Sequence, residues 1–395
     1  MQILPVILAG GLGTRLAPLS STQRPKPFIP FRDGLSLYQH TLLRAQAEGF
    51  LPPLVIASAD QRFALSNHAY EVGAQDASLL LETSPLGTAL VTAVAVHWAK
   101  LHQPHAVIAV IPCDHAIADA RAWRKAVLSM AQRVQGRLQV GLLGIKPTYA
   151  DSGVGYIQAD AQGNVRAFRE KPSDVTALLA SGDWMVNCGH VIASLAAFEQ
   201  VFLQHAPVLW HQAEGLLKTA VLHYEFLHLP PHATDSISFD RAVLEHAASM
   251  CQLACLPCDW ADVGTPDAWC AHTHDDWATQ CAAPMRMDRP WGYFTVQQET
   301  PEKVIKTLHV YPGRRLSMQR HQLRSEHWRV ISGCAQVVVD GSLKKLQANH
   351  ELMIVAGQWH RLENNSAEML VIEETQAGKP DEADIERADD DFGRT

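Results

Sequence analysis

The sequence predicts an α/β domain built on a mostly parallel sheet, followed by a smaller all-β barrel. Two observations carry that expectation. In the first part of the chain short apolar runs alternate with segments of helical periodicity, and after about Met287 the texture turns to β-branched runs separated by turn residues. The length of 395 residues also exceeds what one core usually serves, so two domains are expected, over 1–271 and 287–395, with a linker at 272–286.

In the first domain the pattern reads as strand over 3–9, helix over 35–47, strands over 54–57 and 78–81, helix over 88–101 and strand over 106–111. Strands separated by helices cannot pair as hairpins and are expected to run parallel, with helices on both faces. In the second, strands are expected over 303–310, 328–331, 334–339, 351–354 and 368–373, with turns at Pro312-Gly313, Ser332-Gly333 and Asp340-Gly341. The acidic stretch 381–391 reads as solvated surface.

Hydrophobic content of 47% and charged content of 19% belong to a globular chain. A net charge of -8 argues against a nucleic-acid partner but leaves room for a small phosphorylated ligand. Met1 to Pro5 lacks the features of a signal peptide and no run is long enough to span a bilayer, so a cytoplasmic protein without a membrane partner is expected. The eight cysteines are expected as free thiols. Cys251, Cys255 and Cys258, followed by Cys270, His272 and His274, leave a zinc site open, although the spacing fits no common finger.

The first strand runs through Leu8 and Ala9 into Gly10-Gly11-Leu12-Gly13-Thr14-Arg15. Glycines there let backbone N–H groups approach phosphate oxygens, and Arg15 adds a fixed charge. Lys26, in Arg24-Pro25-Lys26-Pro27, brings a second cation on a stiff backbone. Asp114 follows an apolar strand at the end where open α/β sheets bind ligands, and Asp262 offers a second carboxylate for the same magnesium ion. Glu170, Lys171 and Asn187 suit a sugar hydroxyl and its phosphate. Taken singly, each also reads as a cap, a turn or a solvated side chain; their order makes the case.

In that order the sequence resembles the sugar-nucleotide pyrophosphorylases, Rossmann-like nucleotidyltransferases, and among them the bacterial mannose-1-phosphate guanylyltransferases. The matching segments are 8–18, Pro25-Lys26, Asp114-His115, 153–157, 168–172, 187–189, 238–245 and 260–264. The resemblance implies that GTP and mannose 1-phosphate give GDP-mannose and pyrophosphate. It places Arg15 and Lys26 on the phosphates, magnesium at Asp114 and Asp262, Lys171 on the sugar phosphate, and Glu170, Asn187 and Gly155 on the sugar. Gly87 and Thr88 fall where the family meets the nucleotide. There Glu82-Thr83-Ser84-Pro85-Leu86-Gly87-Thr88-Ala89 replaces the branch's usual glycine-arginine-asparagine-threonine motif and leaves the base and the sugar open.

In the second domain Gly313, Gln319, His321, Glu326 and Gly333 follow the spacing of a cupin, with His360 in the partner segment Gly357-Gln358-Trp359-His360. Two histidines, a glutamate and a glutamine are a ligand set for zinc, manganese, iron or cobalt. Segments 289–292, 324–328 and 360–364 resemble the type II phosphomannose isomerase domain often fused behind the guanylyltransferase. That resemblance implies interconversion of fructose 6-phosphate and mannose 6-phosphate, with Arg324 meeting phosphate or enediolate charge. Leu323 replaces a histidine usual in the family, and the long segment that normally joins the two domains is absent, which bears on whether the chain forms a homodimer. A metal-binding cupin without catalysis, and a nucleotide-sugar sensor, stay open at this point.

Overall fold

The computed structural model describes residues 1–233, 235–389 and 391. The chain forms two compact units, Met1–Trp277 and Ala278–Thr395.

The first unit is organised on an eleven-stranded mixed sheet. At its centre Val107–Pro112, Ile3–Leu8, Leu54–Ser58 and Ser78–Glu82 lie side by side and parallel. Ile3–Leu8 is continuously apolar because both its faces are covered. Leu4 and Val6 pack with the helix Gly87–His102 on one face, while Ile3 on the other packs with Trp123 and Val127 of the helix Ala120–Val134. The parallel order ends beyond Val107–Pro112, where Trp184–Ser194 pairs antiparallel and leads to the hairpin of Tyr156–Ala159 and Val165–Arg169.

The second unit is a pair of antiparallel sheets, one of six strands and one of five. Phe294, Leu308, Trp328, Val330, Val337, Leu362 and Ile372 form its core. Alternation assigns one side of each strand to that core, as in Lys303–Val310, where every second residue is buried. Polar residues also point inward: His321, Arg324, Glu326, His360, Glu374 and Gln376 are all buried.

Two expectations change. The stretch read as a linker carries helix, since Pro266–Thr273 and Trp277–Ala282 reach into it. The acidic stretch read as solvated surface contains a strand, Glu386–Asp389, that pairs with Met318–Arg320. The helices are too short to show a full apolar period, and the strand is too rich in charge to show alternation. The cysteines are free thiols, and the described groups of metal-ligating side chains include none of them. Among the described residues no helix is long and apolar enough to cross a membrane.

Candidate active sites

The central sheet places the first site. From Ile3–Leu8 the chain steps outward to Leu54–Ser58 and Ser78–Glu82, then returns to the opposite side for Val107–Pro112, so the order reverses at the first strand. Leu8 lies opposite both Ile56 and Pro112, and the glycine loop and Asp114 therefore leave the sheet side by side at the switch point. Ala9 is buried, whereas Gly10, Gly11, Thr14 and Arg15 are exposed. Gly13 sits at φ 69°, and a Cβ there would lie 2.4 Å from Cβ of Lys26. Glycine is required for both reasons, and the Lys26 N–H donates to the Leu12 carbonyl at 3.2 Å across the gap.

Lys26 is almost wholly buried and donates to Asp114 Oδ2 at 3.2 Å and to Asp262 Oδ1 at 3.0 Å. Asp262 arrives from far along the chain through a short antiparallel pair, Trp260–Asp262 against His115–Ile117, in which it lies opposite His115. Arg15 reaches within 3.6 Å of Asp262 Oδ2, and Gly264 leaves it room, since a Cβ there would be 2.5 Å from the guanidinium. Burial pushes the Asp114 carboxyl up, but the charges of Lys26 and His115 pull it down to about 2. Burial likewise disfavours the Lys26 ammonium, yet Asp114 and Asp262 raise it above the usual lysine range. Within this cluster the Asp114 carboxylate and the Lys26 ammonium are both charged at neutral pH, whereas burial holds the His115 imidazole below its ordinary value. His115, not singled out from the sequence, belongs to it: with Asp114 and Asp262 it forms a group able to hold a metal ion. Its adjacency to Asp114 in the motif was the available signal.

Glu170, Lys171, Asn187 and Gly155 come together beyond the antiparallel wing. Lys171 Nζ is 3.4 Å from Glu170 Oε1, the Asn187 N–H donates to the Gly155 carbonyl at 2.8 Å, and a Cβ on Gly155 would be 2.9 Å from Glu170 Oε2. Asp240 joins them, accepting from Asn187 Nδ2 at 2.8 Å. Burial first, and the charge of Glu170 second, push Asp240 up to about 6. A carboxyl raised on folding weakens the native state as pH climbs from 3.8 toward 6 and beyond, because the unfolded chain releases the proton more readily. Asp240→Asn, which keeps an acceptor for Asn187, is therefore expected to stabilise the first unit by about 2 kcal/mol near pH 7.5. The gain should shrink by about 1 kcal/mol at pH 5, read by denaturant unfolding at the two pH values. An equal gain at both would mean that the carboxylate is not the cause.

Gly87 and Thr88 open the helix Gly87–His102. Gly87 has φ 78°, and a Cβ there would meet the backbone of Ile237 at 2.7 Å, while Thr88 Oγ1 accepts from the Phe239 N–H at 2.9 Å. The two thus brace the 236–239 segment. Glu82 shapes the preceding turn by accepting from the Leu86 N–H at 3.0 Å.

In the second unit Glu326 is the hub. His321 Nε2 lies 3.2 Å from its Oε1 and His360 Nε2 3.4 Å from its Oε2, and Trp328 Nε1 donates to it at 3.2 Å. These three acid and imidazole side chains form a buried group with metal-ligand spacing. His321 Nδ1 and His360 Nε2 are buried without a hydrogen-bond partner, which is the state of imidazole nitrogens prepared for a cation. Gln319 stands directly across from His360 in the register, so their side chains share a face, although its Oε1 here accepts from Ser317 at 3.0 Å. Arg324 is buried, and its guanidinium donates to Glu326, to His321 and to the Asp381 carbonyl. Glu374 and Gln376 are additions. Burial and the charge of Glu326 push Glu374 up to about 7, and Trp328 Nε1 and Gln376 Nε2 donate to it.

Residues 4–278 match the family model described as nucleotidyl transferase. The chain belongs to the nucleotidyl transferase family. In this nucleotidyl transferase, residues 278–390 match a second model, the C-terminal part of mannose-6-phosphate isomerase. The nucleotidyl transferase is 29% identical to a mannose-1-phosphate guanylyltransferase of Sinorhizobium fredii, over 95% of this chain and 89% of that protein. It is also 29% identical to the xanthan biosynthesis protein XanB of Xanthomonas campestris, over the whole of both chains. The latter alignment extends over 468 positions, so that relative carries segments this nucleotidyl transferase lacks. Among solved structures, one described as a mannose-1-phosphate geranyltransferase of Thermus thermophilus matches with a TM-score of 0.58 at 30% identity, over 68% of this chain and 78% of that one. A mannose-6-phosphate isomerase of Helicobacter pylori shares the fold with a TM-score of 0.57 at 20% identity, over 66% of this chain and 100% of that one.

Proposed function

We propose that the first unit transfers the guanylyl group of GTP to mannose 1-phosphate, releasing pyrophosphate. The observation that carries this is Lys26, held between Asp114 and Asp262 at the mouth of the glycine loop. Two facing carboxylates are hard oxygen donors that fit Mg²⁺, which supplies charge neutralisation for the triphosphate when bound there. The loop amides from Gly10 to Thr14 hold the triphosphate, and Arg15 and Lys26 meet the charge that develops as a phosphate oxygen of mannose 1-phosphate attacks the α-phosphorus. Lys171 anchors the phosphate of the sugar, while Glu170, Asn187 and the backbone at Gly155 orient its hydroxyls. The new bond forms in line with the bond to pyrophosphate, which leaves with its electron pair.

A matrix of sugar 1-phosphates against nucleoside triphosphates, read by pyrophosphate release, tests the reading. Mannose 1-phosphate with GTP is expected to dominate, and a preference for another base or sugar would replace it. The turn at Pro85-Leu86-Gly87 is where such a preference would originate.

The buried group of His321, Glu326 and His360, with Gln319 in register, supports a second activity, the interconversion of fructose 6-phosphate and mannose 6-phosphate. These residues would hold a divalent metal, which would supply polarisation of the sugar's carbonyl when bound. The donor set admits zinc, manganese, iron or cobalt. Leu323, where the family has a histidine, is exposed and makes no part of the ligand group. Turnover of fructose 6-phosphate by the metal-supplemented protein would separate catalysis from a metal-binding module alone. A cytoplasmic location accords with substrates that are phosphorylated sugars and nucleotides.

A further inference from the structure

Asp240 opens a short helical turn, Asp240–Leu244, closed by a bond from the Glu245 N–H to the Asp240 carbonyl at 2.9 Å, five residues apart. In an α-helix, residues five apart diverge by about 140° around the axis. The wider π-helical turn brings them back to one side, a form that recurs at functional positions. Both acidic side chains reach the sugar-site residues of the first unit: Asp240 Oδ1 accepts from Asn187 Nδ2 at 2.8 Å, and Glu245 Oε1 accepts from the Glu170 N–H at 3.1 Å. Val243 and Leu244 are wholly buried in the core and Thr88 accepts from the Phe239 N–H, so the turn is anchored from behind.

We propose that Asp240 is a positioning residue for sugar selection, holding the Asn187 amide in the one orientation that reads the sugar's hydroxyls. This rests on the transferase reading of the first unit. An asparagine amide carries a donor and an acceptor of nearly equal shape, so left alone it can turn over and present either one. Asn187 has that choice removed at both ends. An ionised carboxylate only accepts, so Asp240 demands the Nδ2 end, while the Gly189 N–H donates to Oδ1 at 3.1 Å. The second N–H of Nδ2 and the second lone pair of Oδ1 are then a donor and an acceptor of fixed direction. Such a pair suits the adjacent hydroxyls of one epimer better than those of another. The strand itself supplies less of this order, because the pairing of Trp184–Ser194 with Val140–Ile145 shifts register between Asn187 and Val191.

The same turn steadies the neighbouring step of the site. Lys171 adopts φ 49°, in the left-handed region that a lysine rarely enters, and the bond from the Glu170 N–H to Glu245 secures the residue before it. The charge on Asp240 does not serve the fold: burial and Glu170 push its carboxyl up to about 6, so near neutral pH the carboxylate works against the native state. A side chain that only filled this space would do so better uncharged. An ionised acceptor, in contrast, holds an amide N–H more firmly than a neutral one.

The test uses the full chain with Mg²⁺ and compares the parent with Asp240→Ala, Asp240→Asn, Asn187→Ala and the double variant of Asp240→Ala with Asn187→Ala. The readouts are KM and kcat for the sugar 1-phosphate and for GTP by pyrophosphate release, the kcat/KM ratio of mannose 1-phosphate to glucose 1-phosphate, and thermal unfolding. Asp240→Ala is expected to raise KM for mannose 1-phosphate by about ten- to a hundredfold and to lower the epimer ratio by about tenfold, with KM for GTP within about threefold of the parent. Asp240→Asn, which keeps an acceptor, should recover most of both losses. The double variant should lose no more than Asn187→Ala alone, since Asp240 acts through that amide. Additive losses, or an unchanged sugar KM and epimer ratio in a folded Asp240→Ala, would overturn the inference alone. So would a KM for GTP that rises in step with that for the sugar, since Asp240 would then be a general brace. If the parent releases no pyrophosphate from GTP and mannose 1-phosphate, the transferase reading fails and takes the inference with it.

Discussion

Asp114→Ala should release pyrophosphate from GTP and mannose 1-phosphate at about a thousandth of the parent rate or less. Asp114 is one of the two carboxylates that face each other across Lys26, and neither can be replaced from nearby: His115 and Asp262 complete the group. Removing it takes away one of the oxygen donors proposed for the metal and one of the two charges that hold the Lys26 ammonium in place. An electrostatic contact of this kind at a reacting phosphate typically contributes a factor of 10² to 10³ by itself, and loss of the metal adds to it.

The variant also separates chemistry from folding. Asp114 is held down to about 2, so its ion pair contributes stability that is fully present above pH 3.8 and is lost only as pH falls through about 2. At pH 7 the alanine variant gives up that contribution and leaves Lys26 with Asp262. Asp114→Asn retains the shape and therefore tests the charge alone. Both should lose Mn²⁺ binding in the presence of GTP, followed by the paramagnetic signal of the free ion. Activity within about tenfold of the parent in either variant would place the metal elsewhere.

What the sequence made legible follows from how each feature is encoded. The strands 303–310, 334–339 and 351–354 were found to the residue because alternation with a buried side writes itself into the composition. Ile3–Leu8 and the glycine loop were legible because an apolar run buried on both faces, followed by glycines, has few other readings. The helix Arg62–Glu71 is not legible because its buried face mixes Asn67 and His68 with Ala64, Leu65 and Ala69, which weakens the apolar stripe. Of the site residues, Lys26, Asp114 and Asp262 were recognisable as motif members, but their meeting depends on the pairing of Trp260–Asp262 with His115–Ile117, which three residues of sequence cannot specify. For Arg324 the motif fixes position and not partners: its contact with the Asp381 carbonyl depends on a tail residue 57 positions away.

Glu326→Ala should damage the second unit more than loss of a metal ligand explains. The carboxylate is buried and answers the guanidinium of Arg324, two imidazoles and the Trp328 N–H. Without it, Arg324 retains His321 and the Asp381 carbonyl but has no paired carboxylate in an interior that excludes water. Breaking one side of a buried pair generally costs about 3 to 5 kcal/mol, far above the median for an exposed pair. Glu326→Gln, which keeps an oxygen for Trp328 and removes the charge, should lose metal to a similar degree while costing less stability. The measurement is calorimetric unfolding of both variants in the presence of a chelator, so that metal linkage does not enter. Guanylyl transfer serves as the internal control, since the first unit carries its own core and its own site. If Glu326→Ala unfolds like the parent without metal, Glu326 is a ligand and nothing more. If it is destabilised as expected, the same carboxylate that would hold the metal also holds the barrel interior together in its absence, which gives a physical reason for this polar core to persist whether or not the unit catalyses.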